Sequence, residues 1–188
     1  MIPMFPLARA LAWLACSFSM LLAGAAWAGS ARPAQMALSD LYGKKCRTLD
    51  TSARGSTRRC AGVGGCALMI YEDDDRTSVD IVAPNKSLYP LSYWDVVTLG
   101  YAAVGQKAEW RVGTRPGRKG RPVPTALLVR LNLLDQRHPG ELIAVARIDP
   151  DGACVVYKAD LAEPGAELAA RKAAADPASK CLGPYTAD

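Results

Sequence analysis

The chain has 188 residues, with 23 Lys and Arg against 18 Asp and Glu and a single histidine, for a formal charge of +5. That length suits one domain, and so mild a positive balance fits an ordinary soluble surface, with only weak attraction to anionic polymers or membranes. One histidine leaves little room for zinc chemistry, which wants four Cys or His ligands, or for a base-activated nucleophile.

Met1 to Arg9 is short and carries one positive charge, Ala10 to Trp27 is nearly all apolar, and Ala26-Trp27-Ala28 has the small-x-small pattern of a signal-peptidase site. Together they predict a secretory signal peptide over 1–28, cleaved before Gly29. The apolar run is also long enough for an uncleaved anchor, but its small-residue end argues against one, and Cys16 sits in a poor lipobox. Cleavage removes only Arg9 among charged residues and leaves 22 basic against 18 acidic residues, a charge of +4. No stable membrane insertion is expected after cleavage. Export sets the reading of the cysteines. Cys46, Cys60, Cys66, Cys154 and Cys181 remain, and in an oxidising compartment they tend to pair. Five allow two disulfides and one free thiol.

Residues 29–45 read as an N-terminal leader, loose or with a short helix. Cys46 to Leu49 and Thr57 to Cys60 read as strands around the polar turn Asp50 to Ser56. That hairpin would set Cys46 opposite Cys60, and a disulfide there, closing a 15-residue loop, would add about 3 kcal/mol by restricting the unfolded chain. A tight Cys60–Cys66 link is the alternative. Gly62, Gly64 and Gly65 mark a turn or bulge. Cys66 to Tyr71 and the alternating Thr77 to Val82 form a second hairpin around the polar tip Glu72 to Arg76. Residues 84–105 read as a loop around a short helix near Ser92 to Leu99, with Asp95 favourably placed in its first turn.

Lys107 to Val112 and Val123 to Leu134 are predicted strands, separated by a Gly-, Pro- and Arg-rich loop. Glu141 to Ile148 and Ala153 to Tyr157 flank the turn Asp149-Pro150-Asp151-Gly152, where proline presets one φ and glycine offers a positive one. Both runs are apolar at nearly every position, which predicts a sheet covered on both faces. Glu163 to Asp176 is the one long helix, with Pro164 in its first turn and good helix formers thereafter. Leu161, Leu168, Ala169 and Ala173 would be its sheet-facing side. A Cys154–Cys181 link would tie its far end to the preceding strand and add about 3.6 kcal/mol. The expected fold is α+β: a single domain over 46–182, mostly antiparallel β-sheet with a C-terminal α-helix packed on one face, followed by a tail over 183–188.

The order Cys46…Cys60, Gly62-Val63-Gly64-Gly65, Arg76-Thr77-Ser78-Val79, Ala108-Glu109-Trp110-Arg111, Ala126-Leu127-Leu128-Val129-Arg130, Cys154-Val155-Val156 and Cys181 resembles a group of uncharacterised exported proteins of proteobacteria. The likeness runs from Cys46 to Cys181. It implies export and a periplasmic or secreted location. It also fits Cys46–Cys60 and Cys154–Cys181 as the disulfide pairs, with Cys66 an extra cysteine. It implies no activity.

Candidate chemistry is sparse. His138 lies in a turn sequence and is expected at the surface. Cys66 opens an apolar strand, where burial would raise its pKa and quieten it. Asp73-Asp74-Asp75 and Asp149-Pro150-Asp151-Gly152 offer carboxylates but lack the loop of a dedicated calcium site. No cofactor or metal is expected. Glu109 is expected to pair with Arg130 across neighbouring strands. The alternative is a hydrolase in which Glu109 joins Asp80 or Glu141 as a carboxylate pair. The best interaction candidate is the basic run Arg111, Arg115, Arg118, Lys119 and Arg121, whose arginines can engage carboxylates or phosphates bidentately. With export and no interleaved aromatics, nucleic acid is not the expected partner. The expectation is a non-enzymatic binding module that contacts an envelope protein or an anionic polymer.

Overall fold

The computed structural model describes residues 35–113, 122–184 and 186–187. The predicted signal peptide, residues 29–34 of the leader, and Arg115, Arg118, Lys119 and Arg121 lie outside the described residues.

Antiparallel strands dominate, in two sheets rather than the one expected. The chain enters the larger sheet with β1 (Gln35–Asp40), passes a 3-10 turn over Gly43–Lys45, and builds the smaller sheet from five strands in sequence order. These are β2 (Cys46–Thr51), β3 (Gly55–Ala61), β4 (Ala67–Asp73), β5 (Arg76–Val82) and β6 (Leu88–Pro90). After a short helix α1 (Tyr93–Val96) it returns to the larger sheet through β7 (Ala102–Gly113), β8 (Val123–Leu133), β9 (Gly140–Ile148) and β10 (Gly152–Asp160). Helix α2 (Ala166–Ala175) follows, and β11 (Thr186–Ala187) closes the sheet in the order β1-β7-β8-β9-β10-β11.

Two departures from expectation concern the ends. Residues 35–40, read as leader, form an edge strand paired with β7 from Gln35↔Val112 to Asp40↔Lys107. Its inward residue Ser39 is buried and accepts a 2.7 Å hydrogen bond from the Trp110 indole Nε1, which satisfies the largest fully buried side chain. In the C-terminal tail, Thr186 and Ala187 pair with Ala153 and Gly152 of β10.

The core forms because the strands of the larger sheet are apolar on both faces. Leu127, Val129 and Leu131 of β8, Ala144 and Ala146 of β9, and Val155 of β10 face the smaller sheet's Cys60, Leu68, Ile70, Val79 and Ile81. Their neighbours Leu128, Ile143, Val145, Cys154 and Val156 form a second cluster with Ala170 of α2. The near-continuous hydrophobicity of β9 and β10 therefore has the predicted cause: one face meets a sheet and the other meets a helix.

The helix differs in detail. It starts at Ala166, after Gly165 at φ +82°, so Pro164 lies before it. Its buried positions are Ala166 and Ala170, with Ala174 packed alongside, while Leu168 is 73% exposed. The i, i+4, i+8 alanine row lets the backbone approach the sheet closely, and Leu168 falls outside that row. In the β9–β10 turn, the Asp149 N–H donates to the Gly152 carbonyl at 2.8 Å, and Gly152 opens β10 instead of supplying a positive φ. Left-handed backbone appears at Asp74 (φ 46°) and Asp75 (φ 62°), the two residues between paired Asp73 and Arg76. Such two-residue hairpin loops need positive φ at both centres, which aspartate tolerates better than most residues.

Two disulfides staple this frame: Cys46–Cys60 across the β2–β3 hairpin and Cys154–Cys181 from β10 to the segment after α2. The second is reinforced nearby. The Leu182 N–H donates to the Val155 carbonyl at 2.8 Å, and Arg147 donates to the carbonyls of Pro177 and Ser179. Two disulfides fit an oxidising environment. No helix among the described residues is long and apolar enough to cross a membrane.

Candidate functional site

The residues singled out from the sequence separate into regions that do not meet as one catalytic site. Glu109 and Arg130 do not pair with each other. In the β7–β8 ladder Glu109 lies opposite Leu128, so Arg130 is only a diagonal neighbour. Helix α2 supplies both partners instead. Arg171 donates to both carboxylate oxygens of Glu109 and, at 3.0 Å, to Glu167. Arg130 meets Glu167 at 3.2 Å and Glu141 at 3.8 Å. The result is a ladder of alternating charge, Glu109–Arg171–Glu167–Arg130–Glu141, lying across the sheet and the helix. The Arg171 hydrogen bond, and then Arg130, hold the Glu167 carboxyl below the usual range.

The third carboxylate of the hydrolase alternative is elsewhere. Asp80 lies on β5 of the smaller sheet and accepts a 3.1 Å hydrogen bond from the Leu91 backbone N–H. Burial pushes its pKa up, against the hydrogen bonds from Leu91 and Tyr71. Its neighbour Ser78 accepts from the Tyr93 N–H at 3.2 Å. Both side chains thus anchor the chain after β6. Among the described residues, no group of three or more His, Cys, Asp or Glu is placed to hold a metal ion.

His138 is exposed, with Nδ1 3.3 Å from Asp135. Among the described residues Cys66 is the free cysteine, half-buried, its pKa raised by that burial. It lines a cavity of about 160 Å³ together with Ile81, Pro84, Tyr89, Pro122 and Pro150. The preceding turn explains the glycine cluster. Gly64 and Gly65 have φ of +66° and +89°, and a Cβ on Gly64 would come within 2.6 Å of the Pro122 carbonyl oxygen. Of the predicted basic run, Arg111 is described, and it belongs to strand β7, within the strand expected over Lys107 to Val112, opposite Met36 and Ala126.

A different cationic site emerges at the β2–β3 hairpin. Cys46 pairs with Cys60, so the next residues inward, Arg47 and Arg59, are directly opposite and share a face. Both are exposed, and no acidic partner meets either among the described residues. Like charges directly opposite in a ladder destabilise it. Together with Lys44, Lys45, Cys46 and Ala61 they line a concavity of about 470 Å³, so four cations and no acid surround it. The nearest acid by contact is Asp40, which binds Lys45 at 3.5 Å and Lys107 at 2.6 Å. The Lys107 hydrogen bond holds the Asp40 carboxyl below its usual range.

The signal for this site was present in the sequence. A hairpin that sets Cys46 against Cys60 must also set Arg47 against Arg59. No known protein-family model, curated protein or solved structure matches the chain.

Proposed function

We propose that this is an exported, periplasmic or secreted, non-enzymatic binding module that engages an anionic polymer through the concavity of Lys44, Lys45, Arg47 and Arg59. The observation that carries this reading is the direct opposition of Arg47 and Arg59 with no acidic partner among the described residues. Folding alone disfavours such a pair, whereas a bound anion would offset the repulsion. The Cys46–Cys60 disulfide supports it further by fixing the register one residue away on each strand, which lowers the ordering cost of binding. The two disulfides favour export.

The hydrolase alternative has less support, because Arg171 engages the Glu109 carboxylate through both oxygens.

Retention of the exported protein on immobilised dextran sulfate tests the proposal. Retention should fall as salt rises, because cation–polyanion contacts are screened, and Arg47→Ser with Arg59→Ser should abolish most of it. In a parallel variant, Arg111, Arg115, Arg118, Lys119 and Arg121 are changed to Ser. If only that variant loses retention, binding belongs to the basic run and the hairpin reading fails. Recovery of the native protein from the cytosol with residues 1–28 attached would overturn export.

A further inference from the structure

We infer that the β2–β3 concavity is a site for a phosphomonoester group, carried by a lipid headgroup or by a small phosphorylated molecule. This inference rests on the binding reading above and adds the chemistry of the ligand.

The argument begins with the register. Residues directly opposite in an antiparallel pair hold their Cβ atoms about 5 Å apart on one face. Arg47 and Arg59 are such a pair, and both line the concavity. Two guanidinium forks from adjacent strands therefore border one concavity. Each fork can present two parallel N–H donors to an oxyanion.

A carboxylate has two oxygens, so it offers one fork a parallel two-point contact and leaves the second arginine only oxygens already shared. A phosphomonoester presents three terminal oxygens and accepts from both forks. Its charge also matches better. Four lining cations surround no acid, and a phosphomonoester carries a charge of about −1.5 to −2 near neutral pH. A sulfate monoester or a carboxylate carries one negative charge and neutralises less of the repulsion.

Lys44 and Lys45 sit on the 3-10 turn that leads into β2, at the mouth of the same concavity. They supply compact point charges beside the planar forks. Lys45 is shared with Asp40, and Asp40 is itself tied to Lys107. Lys44, Arg47 and Arg59 therefore remain for the ligand among the described residues. The Cys46–Cys60 bridge adjoins both arginines in sequence and holds their strands in register before any ligand arrives.

The test is an NMR titration of the full exported protein with three probes: glycerol 3-phosphate, methyl sulfate and acetate. The expected result is that shift changes centre on residues 44–47 and 59–61, with the phosphate ester bound at least about tenfold more tightly than either monoanion. Lowering the pH from about 7.5 to about 5 should remove most of that preference, because the ester's second proton binds with a pKa near 6. Asp40, the acid in contact with Lys45, has its pKa lowered by Lys107 and stays ionised over that range.

Arg47→Lys with Arg59→Lys keeps the charge and removes the forks. It should lower phosphate-ester affinity about tenfold while retention on dextran sulfate persists. Flotation with phosphatidic acid vesicles, against phosphatidylglycerol vesicles, separates the two sources. Capture by the former alone assigns a lipid headgroup, and tight binding of glycerol 3-phosphate without vesicle capture assigns a soluble ligand. Equal affinity for all three probes, or unchanged phosphate binding in the lysine variant, overturns this inference and leaves polyanion binding standing. Loss of dextran sulfate retention in the unmodified protein overturns both.

Discussion

Arg58 and Arg59 are adjacent in β3 and face opposite surroundings. Arg58 points between the sheets. Its Nε donates to the Leu41 carbonyl at 3.0 Å, its Nη1 meets Glu72 at 2.6 Å, and its guanidinium stacks on Tyr42 at 4.3 Å. Glu72 also accepts from the Ser56 hydroxyl at 2.9 Å, and its carboxyl is held low mainly by Arg58. Arg59 points outward, opposite Arg47, with no acidic partner among the described residues. The charge ladder of α2 resembles the Arg58 side of this contrast, since each of its arginines touches two glutamates. A charge that the fold needs comes with its partner. The hairpin arginines lack one among the described residues, and on the function proposed above this sets a binding surface apart from a structural one.

The largest effect should come from Arg58→Ala. It leaves Glu72 and the Leu41 carbonyl without their partner and should cost about 4 kcal/mol, some 3 from the broken ion pair and 1 from the hydrogen bond. Denaturant unfolding measures this, and dextran sulfate retention per folded molecule should be unchanged. Next is Cys46→Ala with Cys60→Ala. It should cost about 3 kcal/mol of stability and also weaken anion binding, because the arginine register loosens. Cys154→Ala with Cys181→Ala should cost a similar amount, about 3.6 kcal/mol, with binding intact. If both double variants bind alike, the disulfide does not organise the site.

Arg59→Glu reverses the sign of the expected stability change. Replacing a like-charge cross-strand pair by an opposite-charge one should raise stability by up to about 1 kcal/mol while abolishing anion binding. A stable protein that still binds would show that the site lies elsewhere. The smallest effect belongs to Glu167→Gln in the exposed ladder, about 0.5 kcal/mol or less, with no change in binding.

Acid unfolding separates the half-buried Glu72 from the buried Asp80. Glu72 has a lowered pKa, so its contribution is present above its ordinary value of 4.5 and is lost as pH falls through the folded value. Asp80 has a raised pKa, so its burial favours the protonated form and costs stability as pH rises above its ordinary 3.8. Asp80→Asn should therefore melt higher than the parent at neutral pH, and the advantage should vanish below about pH 4. An Asp80→Asn variant less stable at neutral pH would show that the carboxylate's hydrogen bonds to Leu91 and Tyr71 outweigh its burial.

Local signals carried part of this structure. A polar turn between two short strands was enough to propose the β2–β3 hairpin, and the apolar runs of β9 and β10 already implied covering on both faces. The Glu109–Arg130 pairing failed because the β7–β8 register sets Glu109 opposite Leu128, and no pattern in the strands announces a helix that interposes Arg171 and Glu167. The Arg47–Arg59 opposition was implicit in the cysteine alignment, but its consequence depends on which acids come near.

The sequence by itself determined the strand character, the presence of a hairpin around residues 50–56 and the one long helix, because turn residues, side-chain period and helix propensity act over a few neighbouring positions. The tertiary structure alone decided that there are two sheets, that residues 35–40 form an edge strand, that an alanine row instead of Leu168 meets the sheet, and which charges find partners. These outcomes depend on contacts between distant segments: β1 meets β7 about seventy residues further along the chain. Such contacts are selected by the burial of whole faces, which no short stretch of sequence specifies.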